Sequence, residues 1–210
     1  MDCFVLGATG EVGKSLSKHL SSSARLIVRR KIESSCEVHV VPDFEKIAAK
    51  DFNKEIGFCA LGTTRRKAGS AEEFRRIDYD LVLKAAQQAK ESGCKYFALV
   101  SSMNANQDSS FLYPRVKGEI ENALIDLGFE HLSIFRPGFL KCNRTESRLG
   151  ERVAGWFMPI MDFVFRNKYS VSTEDVAKAM IKDANEWKKG NKRESVSFIE
   201  NKEIIKLAKE

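Results

Sequence analysis

Short apolar runs alternate with longer amphipathic segments along most of the chain. Six runs of four to six residues are predicted to be strands. Several of them are apolar almost throughout, which is typical of strands covered on both faces of a sheet. The predicted strands are Cys3–Leu6, Arg25–Val28, Glu37–Val41, Ile56–Leu61, Tyr96–Val100 and Leu132–Phe135.

Between these runs, apolar residues recur at three- and four-residue spacing, which predicts helices. The predicted helices are Val12–Ser21, Ala71–Ser92 and Arg115–Leu127. Gly93 and Gly128 follow two of them, at the place where a glycine often ends a helix. Strands that alternate with helices in this way indicate an α/β fold with a doubly wound parallel sheet.

The carboxyl-terminal part of the chain is expected to build on the same core. About 70 residues follow the last predicted strand, too few for a second core. We therefore expect one domain over residues 1–210, with residues from about 140 to 210 forming a small cap and further carboxyl-terminal elements. Thr173–Lys189 is predicted to be a helix with Thr173 as its N-cap, because Glu174 and Asp175 suit its positive end.

The composition is that of a soluble globular protein, since 43% of the 210 residues are hydrophobic and 30% are charged. No apolar run approaches the roughly 18 residues that a membrane helix needs, so a membrane is not an expected partner. The first residues, M-D-C-F-V-L-G, lead directly into a predicted strand, without the basic and cleavable parts of a secretory signal.

The cysteines, histidines and basic clusters indicate neither a metal site nor a nucleic-acid site. The five cysteines never form C-x-x-C, and the three histidines are scattered. Reduced thiols in a cytoplasmic protein are the simplest account, with the nucleus as a second location. The net charge of +6 includes clusters such as Arg65–Lys67, but aromatic residues are not interleaved with them. Solvated surface charge explains such clusters best, so a nucleic acid is not an expected partner.

The stretch G-A-T-G-E-V-G, Gly7–Gly13, follows the first predicted strand and opens the first predicted helix. Glycines at Gly7, Gly10 and Gly13 allow a tight turn, close approach of the backbone to a pyrophosphate, and close packing of helix on strand. A tight turn without a ligand uses glycine too, but here a strand precedes and a helix follows. The loop therefore predicts a Rossmann-type NAD(P)-binding domain.

The second predicted strand ends in L-I-V-R-R-K, with Arg29 and Arg30 where an NAD site places a carboxylate. Guanidinium groups match a 2′-phosphate, and two charge-assisted bonds of about 1.5–3 kcal/mol each favour NADP over NAD by roughly a hundredfold or more. Exposed arginines after a strand are the alternative. Asp43, with Phe44, is a candidate to flank the adenine, although an ordinary Pro-Asp loop explains it as well.

The stretch F-L-Y-P-R-V-K-G-E contains a lysine four residues after a tyrosine. Tyr113 and Lys117 share one face of a helix if the helix begins at the proline between them. Pro114 disfavours helical dihedrals at Tyr113 but suits the first turn of a helix. The residues alone leave two alternatives open, a catalytic pair at a helix entrance or two amphipathic side chains on the surface.

Longer stretches around these motifs resemble one family. The most specific are Gly57–Gly69, Leu99–Ser102, Phe111–Glu119 and Phe135–Arg148. Together with the glycine loop and the arginine pair, they resemble the short-chain dehydrogenase/reductase superfamily in its atypical branch. Within that branch the chain looks closest to the Tat-interactive oxidoreductase-like proteins, over nearly its whole length.

The resemblance implies a catalytic serine, tyrosine and lysine. They fall on Tyr113, Lys117 and either Ser101 or Ser102, of which Ser102 has the more usual placement. By this analogy, hydride would pass from the nicotinamide to a carbonyl carbon, Tyr113 would protonate the oxygen, and Lys117 would also hold the ribose. The implied cofactor contacts are Gly7, Thr9, Gly10, Glu11, Val12, Arg29, Arg30, Leu61, Gly62, Leu140 and Arg148.

Two functions follow from these expectations. The first is an NADPH-dependent reductase that acts on a small carbonyl substrate. The second is a regulatory protein that binds NADP(H) and acts through protein partners in transcription or nuclear import, because fold alone does not imply turnover. The complete serine–tyrosine–lysine set favours the enzyme.

Overall fold

A seven-stranded parallel sheet forms the centre of the molecule. The structure is a computed structural model and describes residues 1–141, 169–190 and 194–210. The strand order is β3-β2-β1-β4-β5-β6-β9, while β7 and β8 pair in a separate two-stranded sheet. The strands are β1 Cys3–Leu6, β2 Ala24–Val28, β3 Glu37–Val40, β4 Ile56–Cys59, β5 Tyr96–Val100, β6 His131–Arg136, β7 Phe139–Lys141, β8 Ser170–Ser172 and β9 Val196–Glu200.

Helices connect the strands and cover both faces of the sheet. They are α1 Glu11–Leu20, α2 Arg65–Ala68, α3 Ala71–Arg75, α4 Leu81–Glu91, α5 Leu112–Leu127, α6 Thr173–Lys188 and α7 Asn201–Leu207. A π-helical turn, Arg76–Asp80, joins α3 to α4, so the single helix predicted over this stretch contains an irregular turn. None of the helices in the described ranges is long and apolar enough to cross a membrane.

Strand β1 illustrates why the sheet is covered on both faces. Cys3 and Val5 belong to the core under α1 and α6, whereas Phe4 and Leu6 belong to the core under α4 and α5. All four side chains are fully buried. A strand with apolar residues on both faces needs this arrangement, and the predicted doubly wound parallel sheet is confirmed.

The carboxyl-terminal elements differ from their prediction in two respects. Val196–Glu200 is the seventh strand of the main sheet, paired with β6, whereas only a cap and further carboxyl-terminal elements, and no strand, were predicted for this part of the chain. Helix α6 packs against α1 on the sheet face. The predicted N-cap of α6 was wrong, because the Ser172 hydroxyl accepts the hydrogen bond from the Asp175 amide at 2.9 Å, and Thr173 is the first helical residue.

A buried polar cluster fastens α6 to the sheet. The Tyr96 hydroxyl and the Ser133 hydroxyl both donate to Asp183 Oδ2, at 2.7 and 2.5 Å. Tyr96 also stacks on His131, with ring centroids 5.5 Å apart. Because these groups satisfy one another, a carboxylate can lie in the core at the junction of β5, β6 and α6.

Candidate functional site

The strand order reverses between β1 and β4, and ligands of doubly wound sheets bind at the carboxyl ends of the strands at such a point. The Gly7–Gly13 loop lies there. Gly7 has φ +78°, and a Cβ on it would lie 2.5 Å from the Ala60 carbonyl. A Cβ on Gly13 would lie 2.1 Å from the Gly7 oxygen. These two glycines are therefore required for packing of the loop against β4 and of α1 against the loop.

Gly10 has a different role. A Cβ there would lie 3.3 Å from the Gly7 oxygen, which is a tight contact but not a collision with the fold. Gly10 is exposed beside the exposed Thr9, and α1 begins at the next residue, Glu11. Val12 is buried in the core, so only its backbone amide remains for a ligand. The open side of the loop thus presents backbone and the first turn of a helix, the groups that bind phosphate.

Arg29 and Arg30 follow β2 directly and are exposed. Because β2 pairs with β1, the two arginines lie at the same edge of the sheet as the glycine loop. In the described ranges, neither guanidinium forms a salt bridge. Arg76 chiefly, with a smaller contribution from Arg29, lowers the pKa of Glu73 on α3. The arginine pair is therefore available to an anion beside the predicted dinucleotide site.

The structure favours the ordinary-turn alternative for Asp43. Its carboxylate accepts a hydrogen bond from the Glu45 amide at 3.0 Å and caps the 3₁₀ turn Phe44–Lys46. Phe44 is buried in the core and does not project as an adenine-stacking ring. Asp43 itself is exposed, so the part of its carboxylate that does not cap the turn remains accessible.

Tyr113 and Lys117 lie one turn apart at the beginning of α5, near enough to interact electrostatically. The helix begins at Leu112, so Tyr113 lies in its first turn, and the N-cap Phe111 is extended with ψ 132°. Tyr113 is 43% exposed, and its ring lies 5.8 Å from that of Phe74. Lys117 is only 4% exposed. The tyrosine faces solvent while the lysine approaches it from inside the protein.

Lys117 has a partner that its sequence pattern did not predict. Lys117 Nζ lies 2.7 Å from Asp78 Oδ1, and neither side chain has appreciable exposed surface. Burial disfavours the ammonium, but attraction to Asp78 and to Tyr113 outweighs it, so the pKa of Lys117 is raised. Asp78 also accepts a hydrogen bond from the Thr63 amide at 2.7 Å. In the sequence, Asp78 looks like one more polar residue on an amphipathic helix, and no local signal marks it.

Leu61 and Gly62 lie in the loop that follows β4, against this ion pair. A Cβ on Gly62 would lie 3.0 Å from Asp78 Oδ1 and 3.5 Å from Lys117 Nζ. The loop therefore passes directly over the pair. Leu61 and Gly62 are two of the predicted cofactor contacts. Their backbone therefore lies close to Lys117, the lysine of the predicted catalytic set.

The two serines after β5 have different surroundings. Ser101 is 5% exposed, and its hydroxyl donates to Glu121, which is itself paired with Arg136 at 2.6 Å. Ser102 is half-buried, and its hydroxyl has no hydrogen-bond partner within the described part of the chain. Ser101 belongs to a structural network, whereas Ser102 keeps a hydroxyl free for a ligand.

The remaining predicted contact that the structure describes is Leu140. It lies on β7 and is 40% exposed, next to Phe139 at 57%. Phe111 at the start of α5 is 78% exposed. Each of these exposed side chains offers apolar surface that could contact an apolar part of a ligand. The predicted contact Arg148 lies outside the described residues.

Two further observations concern what lies outside the candidate site. A cavity of about 440 Å³ lies at the opposite edge of the sheet, lined by residues at the amino ends of β4, β5 and β6 such as Glu55, Lys95 and His131. It is remote from the glycine loop and takes no part in the arrangement above. Among the described residues, no three histidine, cysteine or acidic side chains form a group suited to a metal ion.

The fold is that of a Rossmann-type protein, with a doubly wound parallel sheet and a glycine loop at the point where the strand order reverses. MoeE5 in complex with UDP-glucose and NAD has the same fold, with a TM-score of 0.71 and 14% identity over 95% of this chain and 75% of that chain. A UDP-galactose 4-epimerase has a TM-score of 0.67 and 14% identity over 95% and 76%. At these identities the likeness concerns the fold alone.

The chain belongs to the HIM1 family, because the model of that family matches residues 27–155, more than half of the sequence. Protein HTATIP2 of Rattus norvegicus is 43% identical over 220 residues, which cover 99% of this chain and 89% of that protein. Protein FMP52, mitochondrial, of Candida albicans is 34% identical over 232 residues, covering 99% and 98%. The resemblance expected from the sequence is confirmed.

The location expected from the sequence was wrong. We expected the cytoplasm, with the nucleus as a second site, from the scattered cysteines and the lack of a secretory signal. The relatives from Candida albicans, Lodderomyces elongisporus and Saccharomyces cerevisiae, which cover 97–99% of this chain, carry the word mitochondrial in their names. Thiol spacing distinguishes oxidising from reducing surroundings but does not distinguish one reducing compartment from another.

Proposed function

We propose that this protein is an NADP(H)-dependent oxidoreductase of the short-chain dehydrogenase/reductase type that acts on a carbonyl substrate. One observation carries the proposal. Three features lie at the carboxyl edge of the sheet, around the neighbouring strands β1, β4 and β5. They are an open glycine loop, a charged Lys117 near Tyr113, and a Ser102 hydroxyl without a hydrogen-bond partner among the residues that the structure describes. These are the parts that hydride transfer with proton donation requires.

A nicotinamide dinucleotide fits the residues present. The backbone of Gly10 and the first turn of α1 suit a pyrophosphate, and the neighbour MoeE5 is described in complex with NAD, which supports this class of cofactor. Arg29 and Arg30, which form no salt bridge within residues 1–141, 169–190 and 194–210, support the form that carries a 2′-phosphate. When bound, the cofactor supplies a hydride that reduces the carbonyl carbon.

The residues of the chain would then handle the oxygen and its proton. The Ser102 hydroxyl would donate a hydrogen bond to the carbonyl oxygen and hold it towards Tyr113. The Tyr113 hydroxyl would donate its proton to that oxygen as negative charge develops on it. Lys117 would stabilise the resulting phenolate, since its raised pKa keeps it an ammonium, and would bond the nicotinamide ribose.

We also propose that residues 1–210 act as one domain. Strand β9 pairs with β6 in the main sheet, and Ile199 and Ile204 lie in the same hydrophobic core as α1. The predicted cofactor site and the carboxyl-terminal elements therefore depend on one core. Strand β7 would contribute the exposed Phe139 and Leu140 to the substrate side.

A direct test is to identify the dinucleotide that accompanies the protein purified without added ligand. We expect mass spectrometry to find NADP(H) rather than NAD(H). In a second step, NADPH with deuterium at C4 is offered with a panel of aldehydes and ketones, and deuterium in the product is measured. A protein with no affinity for either dinucleotide by calorimetry would overturn the proposal.

A second candidate is an NADP(H)-binding regulator that acts through protein partners with little turnover. The Lys117–Asp78 pair favours it, because a carboxylate 2.7 Å away offsets part of the charge that Lys117 presents to Tyr113. The same deuterium experiment separates the two functions. Tight NADPH binding without deuterium transfer to any member of the panel would favour the regulator.

A further inference from the structure

Asp78 connects two parts of the site that are distant in sequence. Its side chain has no exposed surface, and its two carboxylate oxygens have different partners. Oδ1 lies 2.7 Å from Lys117 Nζ on α5, and Oδ2 accepts a hydrogen bond from the Thr63 amide after β4 at 2.7 Å. One carboxylate therefore fixes both the predicted lysine and the loop that contains Leu61 and Gly62.

The π-helical turn gives Asp78 this position. The Leu81 amide bonds the Arg76 carbonyl, five residues back, so one extra residue is inserted between α3 and α4. Such turns are rare and often occur at functional sites. Asp80 in the same turn is exposed, so the turn contains one buried and one exposed carboxylate.

We propose that Asp78 is a positioning residue, which holds the Lys117 ammonium against Tyr113 and fixes its place relative to the loop over the dinucleotide. The proposal rests on the proposed function, since it concerns the same site. Gly62 supports it, because a Cβ there would lie 3.0 Å from Asp78 Oδ1, so the carboxylate would have to shift, and 3.5 Å from Lys117 Nζ, in van der Waals contact. The position of the loop that contains Gly62 and the position of the Asp78–Lys117 pair therefore depend on each other.

A purely structural role makes a different prediction. A buried ion pair that only stabilises the fold would weaken cofactor binding, if at all, independently of Lys117. A residue that acts through Lys117 has no further effect once Lys117 is gone. A double-mutant cycle separates the two cases, because it measures whether the losses add.

The first experiment measures NADPH affinity by calorimetry in Asp78→Asn, Lys117→Met and the double variant. Asparagine keeps the size of the side chain and an acceptor for the Thr63 amide but removes the charge. We expect each single variant to bind about tenfold more weakly or worse, and the double variant to bind no more weakly than Lys117→Met. Asp80→Asn is the matched control and should stay within about twofold of the wild type. Losses that multiply in the double variant would overturn the proposal.

The second experiment needs no dinucleotide, so it distinguishes failure of this proposal from failure of the proposed function. The ammonium of Lys117 is titrated by NMR in the wild type and in Asp78→Asn. The groups that face it are Asp78, Tyr113 and Cys59. Burial lowers the pKa of Lys117, and the negative charge of Asp78 opposes this effect. Without that charge the pKa of Lys117 should fall. An unchanged titration would overturn the proposal even if NADPH binds well.

A further variant covers the case in which Asp78→Asn does not fold. Asp78→Glu keeps the charge and moves the carboxylate by one methylene. We expect a folded protein with a raised pKa at Lys117 but with NADPH affinity reduced about threefold or more, because position and not charge has changed. Wild-type NADPH affinity in Asp78→Glu would overturn the role in positioning.

Discussion

The Phe74 ring lies 5.8 Å from the Tyr113 ring and is tilted by 35°. One turn further along both helical segments, Asp78 is paired with Lys117. Phe74 and Asp78, which are four residues apart after β4, therefore contact Tyr113 and Lys117, which are four residues apart on α5. Phe74 is fully buried and supports one side of the Tyr113 ring, while 43% of Tyr113 stays exposed.

Tyr113→Phe should separate catalysis from binding. The substitution keeps the ring and its contact with Phe74 but removes the hydroxyl. We expect NADPH affinity within a few-fold of the wild type and reductase activity lower by roughly 10²–10⁴. Stopped-flow and steady-state measurements on a substrate found in the panel would check this. Tyr79→Phe, whose ring lies under Arg75, is the control and should retain activity. Undiminished turnover in Tyr113→Phe would rule out the catalytic role.

Arg30→Ala should reduce the preference for NADPH over NADH. The wild type is expected to bind NADPH at least about tenfold more tightly, because guanidinium groups pair with the 2′-phosphate. In the variant most of this ratio should disappear through weaker NADPH binding, with NADH affinity unchanged. Calorimetry with both dinucleotides measures the ratio. Lys18→Ala, at the far end of α1, removes an exposed cation and should leave the ratio as it was. Equal wild-type affinities would contradict the NADP assignment.

Gly10→Val should abolish dinucleotide binding in a protein that still folds. A side chain at Gly10 occupies the open side of the loop, yet its Cβ meets the fold only at 3.3 Å from the Gly7 oxygen. Gly7→Ala is the informative contrast, because φ +78° and the contact with Ala60 make it a folding defect. Circular dichroism melting and calorimetry distinguish the two. If Gly10→Val binds NADPH like the wild type, the loop is only a turn.

Ser101→Ala and Ser102→Ala should have opposite effects. Loss of the Ser101 hydroxyl removes a donor from the buried Glu121, which should lower the free energy of unfolding by about 1–3 kcal/mol. Loss of the Ser102 hydroxyl should leave stability within about 0.5 kcal/mol but reduce turnover about 10²-fold. Denaturant unfolding and initial rates measure both quantities. A fully active Ser102→Ala variant would contradict the assignment.

His39→Ala should make the protein more sensitive to acid. Burial opposes ionisation of Asp51, but hydrogen bonds from His39, at 2.9 Å, and from the Ala48 amide outweigh it and lower the pKa of Asp51. A lowered pKa stabilises the fold above the unfolded value near 3.8, and this stability is lost as the pH falls through the folded pKa.

Without His39, the pKa of Asp51 should lie closer to its unfolded value, so less stability is gained from its ionisation. Acid unfolding followed by circular dichroism should then occur at a pH about 0.5 unit higher. Lys46→Ala removes an exposed charge from the neighbouring 3₁₀ turn and serves as the control. An unchanged midpoint in His39→Ala would show that Asp51 is held by the Ala48 amide alone.

Patterns among residues close together in sequence were enough to predict the strands, the glycine loop and the beginning of α5. Buried strands, the tight Gly7–Gly13 turn and a helix beginning near Pro114 each depend on residues within a few positions of one another. Parity along β5 would also have separated the two serines. Ser101 has the parity of Phe97 and Leu99, which face α4 and α5, so its hydroxyl points towards Glu121.

Other parts depend on contacts that no local pattern records. Asp78 is buried beside Lys117 of another helix and serves as its counter-charge. The sequence around Asp78, in contrast, has the pattern of an ordinary amphipathic helix. The strand V-S-F-I-E, Val196–Glu200, is an edge strand with Phe198 43% exposed, so it lacks the continuous apolar run that marked the other strands. Its membership in the sheet follows from pairing with β6 and could not be derived from its own residues.

The position of β9 in the sheet also affects how the chain folds while it is being synthesised. About 60 residues separate the end of β6 from the start of β9, its neighbour in the sheet. At about 5–20 residues per second, a ribosome needs roughly 3–12 s to make that stretch. During this interval the glycine loop and its strands are complete, but His131–Arg136 presents an unpaired edge to the cell. Protection of the nascent chain therefore matters most late in translation, after the cofactor-binding half has formed.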